Sequence, residues 1–465
     1  MDIPATRGIP TSLVEKSTIR KISIRIVPFV ALMFFINFLD RTAISFAAPN
    51  GLEADLALTA AQYGFASGVF FVGYILLEVP SNLALHRFGA RIWLARIMIT
   101  WGIVSLLFTW VQNYPQLVGL RFLLGIAEAG FFPGAILFLS TWVPARHRGK
   151  MLALFYLAQP LTSVIGSPLA GWLMTHEGLL GGLEGWRFMF LCVSIPAIIV
   201  GVLCLFVLKD KPSQAKWLDA DERNWLEGAL AADRKGKTDG HGAKGGFKAA
   251  FGSGRVWMLA GVYFGFIYGL YALSFFLPTI IAGFQEQFGT EFDLFQKGLI
   301  TAIPYVPAAF VLYFWSRDAF RRGVKVWHIA VPALVGGLSI PVALYMNSPA
   351  ATIAVIAVTA CAIFAALPNF WTVPTQFLSG AAAAAGVALI NTVGNLGGFA
   401  APYITGAVSD ATGGFQVPMF LVGFFMLLSS LLMVIVARNS RRNGGTGFGG
   451  VPTTATDAPV AEAQR

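Results

Sequence analysis

The chain has 465 residues, 56% of them hydrophobic and only 12% charged, with a mean hydropathy of +0.69. Soluble domains carry about twice that charged fraction, so a water-soluble enzyme or binding module is excluded and a membrane protein is expected. The net charge of +10 is an orientation signal and not a nucleic-acid footprint, because lysine and arginine gather in alternate loops.

Apolar runs approaching the roughly 20 residues that cross a bilayer fall near residues 25–47, 62–84, 90–112, 116–143, 149–174 and 186–208. A second set falls near 255–283, 298–316, 326–346, 350–378, 382–408 and 416–437. These twelve, spans 1 to 12, give the expected fold: an all-α polytopic membrane protein of two six-helix bundles. The expected organisation is an N-terminal segment (1–24), a first bundle (25–208), a linker (209–254), a second bundle (255–437) and a disordered tail (438–465). The first run lacks an A-x-A-like cleavage site and is too long for a signal peptide, so it is expected to remain as an uncleaved span.

Span 1 carries the most informative pair, Asp40 and Arg41, inside a run that is otherwise apolar from Ile22 to Ala48. An ionised side chain at bilayer depth costs at least ~2.5 kcal/mol. Both are therefore expected to face a polar cavity, with Arg121 and Glu128 of span 4 as partners. Span 2 adds Tyr74 and Glu78 and ends in the basic loop His86-Arg87-Phe-Gly89-Ala-Arg91. The loop Arg317-Asp318-Ala-Phe-Arg321-Arg322-Gly323-Val-Lys325 occupies the equivalent place after span 8, the mark of a parallel internal repeat. Glu78 and Arg96 lie nearer the basic ends of spans 2 and 3 and are expected to lock helices together.

In span 4, Arg121 and Glu128 are seven residues apart, about 10 Å along one helix face. Static ion pairs that fix packing are the alternative reading of these charges. Pro133 and Gly134 in span 4 and Pro304 and Pro307 in span 8 permit kinks. Span 5 contributes Gln159. Between spans 6 and 7, the stretch Trp217 to Leu226 has the spacing of an amphipathic helix on the membrane surface. The Gly/Lys stretch 236–246 reads as a flexible tether.

Spans 7 to 12 have no charged residue in their interiors and offer neutral polar and aromatic groups instead. These are Tyr263, Tyr268, Tyr271 and Ser274; Asn369, Trp371 and Thr372; and Asn391, Thr392 and Asn395. Each Tyr or Trp has interface anchoring as an alternative role. Asn391, in a Gly-rich helix, needs a cavity or a partner.

The loops opposite the basic ones carry acids: Glu53, Asp55, Glu177, Glu184, Glu286, Glu291 and Asp293. Positive-inside topology then places both termini in the cytoplasm. Cys192, Cys204 and Cys361 lie in apolar runs without metal-ligand spacing, and soluble-type catalytic motifs are absent. No cofactor, metal or catalytic residue is expected. His86, His147 and His328 read as interfacial.

A buried carboxyl beside an arginine can hold a proton in one state and release it in another. The arginine freed by that proton can take an anion through its bidentate fork. The charges thus point to proton-linked handling of an anion.

Four motifs carry a resemblance: Phe38-Leu-Asp40-Arg41; Glu78-Val-Pro80-Ser-Asn82 through Arg91; Arg121-Phe-Leu-Leu-Gly125-Ile-Ala-Glu128 through Gly134; and Asn391-Thr-Val-Gly394-Asn395 through Pro402. With them the chain resembles the major facilitator superfamily over roughly residues 20–438, and within it the anion:cation symporter family. The Pro-Ser-Asn-Leu form points to the branch of tartrate, 4-hydroxyphenylacetate, phthalate and allantoate-like permeases. The resemblance implies that Arg41 binds substrate carboxylate, that Asp40 and Glu128 take protons, and that Arg121 supports the charge network and site. Tyr74, Gln159 and Asn391 would line the site, joined by Tyr271 and Trp371, while Arg87, Gly89 and Arg91 would gate it.

Two positions depart from the pattern: His86 stands where the superfamily loop is acidic, and Ser316-Arg317-Asp318 replaces Ser-Asp-Arg. The expectation is a monomeric, proton-coupled importer of a small organic anion in the inner membrane. The alternatives are an efflux pump or anion exchanger on the same fold, and a transport-inactive sensor.

Overall fold

The computed structural model describes residues 11–179, 181–235, 251–374 and 380–442. All regular elements among them are helical, and ten helices are long and apolar enough to cross a membrane by length and composition. Trp327–Ala343, at span 9, is shorter, and Gly380–Thr412 stands at span 11. Counted with these two, the described helices fill all twelve expected span positions.

Span 1 is the helix Val27–Ala47, entered through Pro28 in its first turn, where a missing N–H is harmless. It follows a polar, basic helix, Thr11–Arg25. Span 2, Ala60–Phe88, starts on a Thr59–Gln62 capping box and stops at Gly89, whose φ of +87° favours glycine.

Span 4 is split. Tyr114–Glu128 ends at Ala129, and Phe131–Trp142 begins after Gly130, whose φ is +83°. A Cβ on Gly130 would stand 2.7 Å from the Cβ of Ser81, so both backbone sign and space require glycine. The break thus falls next to Glu128 and not at Pro133, which sits in the first turn of the second piece, where proline is tolerated. Span 8 breaks similarly between Leu294–Ala302 and Tyr305–Arg322.

Within the halves, span 2 packs on span 4, span 3 on span 6, and span 9 on spans 10 and 12. The seams between halves run along spans 2 and 11 and along spans 5 and 8. At the acidic end the first seam is shut. Cβ atoms on Gly64 and Gly406 would overlap the carbonyl oxygens of Pro402 and Ala60. The Asp410 carboxylate accepts the backbone N–H groups of Ala60 (3.1 Å) and Ala61 (2.8 Å) at the start of span 2. The Tyr63 hydroxyl donates to the Phe275 carbonyl of span 7 at 2.9 Å.

The linker helix corrects the membrane-surface expectation. It runs over Ala220–Lys235 and packs on Thr11–Arg25, with Leu226, Leu230 and, just before the helix, Leu218 buried. Trp217 stacks on Trp142 at 5.8 Å. Glu222 fixes the docking, accepting from Ser17 and Lys21 at 2.6 Å each. The apolar stripe was legible in the sequence, but its partner was a protein helix. The proposed tether, 236–246, lies outside the described residues. Span 12, Gln416–Arg442, continues past the expected start of the tail at 438, and the tail beyond 442 is outside the described residues.

Candidate substrate site

Asp40 and Arg41 are consecutive helical residues, so their side chains leave span 1 in directions about 100° apart. Arg41 points into a cavity between the halves. Its Nη2 donates to Glu128 Oε2 at 2.8 Å and its Nε to the same oxygen at 3.3 Å. Nη1 donates across the seam to the Tyr271 hydroxyl at 2.9 Å. The guanidinium lies over Phe70 and Tyr74, 4.7 and 5.4 Å from the ring centroids. Glu128 Oε2 also accepts from Asn37 Nδ2 at 2.8 Å. Its Oε1 is buried without a hydrogen-bond partner. Such an orphaned acceptor is a place where a proton is readily accommodated.

Asp40 corrects the expectation that both charges face the cavity. It turns toward span 3, where Trp101 Nε1 donates to Oδ2 at 2.8 Å and Ser105 Oγ to Oδ1 at 3.1 Å. Arg121 is likewise not a cavity group in this conformation. It is 1% exposed and donates to the carbonyls of Arg41, Ala66 and Ser67. Sharing a helix face with Glu128 was insufficient, because span 2 carbonyls and the span 1 backbone captured the guanidinium first.

The cavity is lined by Arg41, Tyr74, Gln159, Tyr271, Trp371 and Asn391, together with Phe34, Tyr156, Tyr263 and Asn395 among others. It holds only about 60 Å³ of free space, roughly the share of two water molecules. An organic anion therefore enters only with side-chain movement. Toward the basic end it meets a vestibule of about 730 Å³. Phe132, Tyr156, Trp371 and Asn391 border both spaces. Glu78, expected to lock helices near loop 2–3, is instead in the vestibule wall, where its Oε1 accepts from Asn391 Nδ2 of the other half at 2.6 Å.

The structure keeps Arg87, Gly89 and Arg91 apart from this cavity. The Arg91 amide donates to Asp210 Oδ1 at 2.9 Å, and a Cβ on Gly89 would meet the same carboxylate at 3.1 Å. Arg87 lies over Phe88. Asp210, just after span 6, is thus the carboxylate that meets this loop, at Gly89 and Arg91. After span 8, Asp318 pairs with Arg322 at 2.8 Å. Arg96 stacks 4.0 Å from the Trp93 centroid, in keeping with a packing role. Asn37 escaped the sequence reading although its signal was present: it precedes Arg41 by one helical turn. Tyr156 carried no signal, since tyrosines are common in membrane helices.

The model of the Major Facilitator Superfamily matches residues 30–402. The chain belongs to that superfamily. It is therefore a transporter and not an enzyme, and a multi-pass membrane protein. A proposed tartrate transporter of Agrobacterium vitis is 45% identical over 434 residues, covering 93% of this chain and 94% of that protein. A quinolone resistance transporter of Acinetobacter baumannii is 36% identical over 422 residues, covering 91% and 95%. Among solved structures, a bacterial homolog of the human lysosomal transporter Spinster, inward-facing and unoccupied, superposes with a TM-score of 0.71. It is 19% identical and covers 93% of this chain and 98% of its own, a likeness of fold alone.

Proposed function

We propose that the protein imports a small organic anion with protons by alternating access, from an inner membrane, with its basic end and both termini in the cytoplasm. The buried Arg41–Glu128 pair beside the cavity, with Glu128 Oε1 unpartnered, is the observation that carries this reading. A proton on Glu128 removes the carboxylate that holds the guanidinium, and Arg41 then offers its fork to the anion. Tyr271, Gln159, Trp371 and Asn391 complete the site, and Tyr74 holds the guanidinium from below. Asp40, kept by Trp101 and Ser105, takes a second proton. Arg121 holds spans 1, 2 and 4 in register around the site. Arg87, Gly89 and Arg91 act as a gate hinged on Asp210. In this orientation the vestibule opens inward.

The relative's name makes tartrate the first anion to try. Proteoliposomes with an acid exterior and labelled carboxylates test the reading. Wild type should accumulate the anion; Glu128→Gln should keep counterflow but lose proton-driven accumulation; Arg41→Ala should lose both. Full accumulation by both Asp40→Asn and Glu128→Gln would sink the coupling.

A second reading, export of amphiphilic compounds, draws on the apolar vestibule wall of Phe132, Ile136, Leu137, Leu152 and Phe320 and on the quinolone-named relative. Quinolone efflux from loaded vesicles that survives Arg41→Ala would favour it.

A further inference from the structure

Glu78 is a buried carboxylate that the mechanism above leaves idle. It is 8% exposed, and its Oε1 accepts the Asn391 amide of the other half. Asn391 borders both the Arg41 cavity and the vestibule, while Glu78 borders the vestibule. With the acidic end shut by Asp410 and the span 2–span 11 glycines, an anion leaving Arg41 for the vestibule passes Asn391 and enters the space that Glu78 borders. A charged carboxylate in a low-dielectric passage repels an anion strongly.

The groups facing Glu78 are few. Span 1 presents Arg41, its own helix Tyr74, span 7 Tyr263, and span 5 Tyr156 and Arg148. Spans 4, 10 and 11 present Phe132, Trp371 and Asn391, and span 3 meets span 2 through Trp93 on Ser81. Arg41 is already held by Glu128 and Tyr271, and Arg148 by the carbonyls of Ser140 and Val143 and by Asp233, so no cation is bonded to Glu78 among these neighbours.

We propose that Glu78 is the charge gate of the path between Arg41 and the vestibule: the anion passes while Glu78 carries a proton, and the ionised carboxylate, bonded to Asn391, bars it. The proton comes from and returns to the solution in the vestibule. Glu78 is then a further point of proton control besides Glu128 and Asp40, acting after Glu128 has released its hold on Arg41. This rests on the organic-anion reading.

The test is counterflow of labelled tartrate in proteoliposomes, with pH varied separately on the vestibule side and the opposite side. Wild-type exchange should rise as vestibule-side pH falls, by up to about tenfold per unit where Glu78 is mostly ionised. Glu78→Gln should be fast and change less than about twofold with vestibule-side pH, while keeping its response to the opposite side. Should Glu78→Gln not fold, Glu78→Asp must retain the slope with a displaced midpoint. A wild-type slope in Glu78→Gln, or an undisplaced midpoint in Glu78→Asp, overturns the gate. Wild type that carries neither tartrate nor any carboxylate overturns instead the organic-anion reading on which the gate rests.

Discussion

Arg41 reaches Glu128 in its own half and Tyr271 in the other, so one guanidinium ties the halves together at the site. Its planar fork makes both bonds at once, and a lysine ammonium cannot reproduce that geometry. Arg41→Lys should therefore keep the charge but lose at least about tenfold in uptake, the equivalent of one charge-assisted hydrogen bond of roughly 1.5–3 kcal/mol. The loss should appear in KM as well as in rate, measured by initial uptake over a concentration series. Asn37, one turn before Arg41 on span 1, donates to Glu128 Oε2 of span 4. Asn37→Leu should leave the protein folded and shift the pH dependence of uptake, because a donor to the ionised carboxylate is gone.

Among elements, the seam between spans 2 and 11 decides which end is shut. Gly64 and Gly406 let backbone meet backbone there, so a methyl group at either position has nowhere to go. Gly64→Ala should loosen the acidic end, seen as faster hydrogen exchange at residues 60–64 and 402–410 and slower uptake. Outside the membrane at the same end, the Glu53 carboxyl is pushed up to about 7, by burial first and by the nearby Asp410 charge second. A raised carboxyl favours the closed arrangement while it is protonated, and that contribution is lost as pH rises through about 7. Protection factors at residues 60–64, which remove the intrinsic pH dependence of exchange, should fall between about pH 4.5 and pH 7, and Glu53→Gln should flatten the change. No sequence pattern announced this closure, since Asp410 is 350 residues from the amides it caps.

At the scale of the whole molecule, charge is divided unevenly: the first half holds Asp40, Arg41, Arg121 and Glu128, and the second meets them with Tyr271, Trp371 and Asn391. The linker helix is tied to the N-terminal helix through Glu222. Burial alone would raise its carboxyl, but hydrogen bonds from Lys21, Ser17 and the Asp219 amide, with the Lys21 charge, outweigh it and hold it below the usual range. A depressed carboxyl stabilises at pH above its ordinary value near 4.5 and ceases to do so as pH falls through its folded value. Acidification below about 4.5 should release Ala220–Lys235, detected by limited proteolysis of the linker, and Glu222→Gln should show the release already at neutral pH.

By itself the sequence determined the membrane class, the apolar spans and which charged residues lie within them. Runs of apolar residues and the cost of charge in lipid are properties of composition along the chain, and neighbours in space hardly alter them. Tertiary structure decided which charge meets which. Asp40 went to Trp101 and Ser105, Arg121 to backbone carbonyls, and the linker stripe to a protein helix, because each group bonds whatever partner packing brings within about 3 Å. The Glu78–Asn391 bond emerged the same way, since only the folding of span 11 against span 2 places Asn391 on that carboxylate. Sequence fixes which groups need partners in a bilayer; geometry between distant helices selects them.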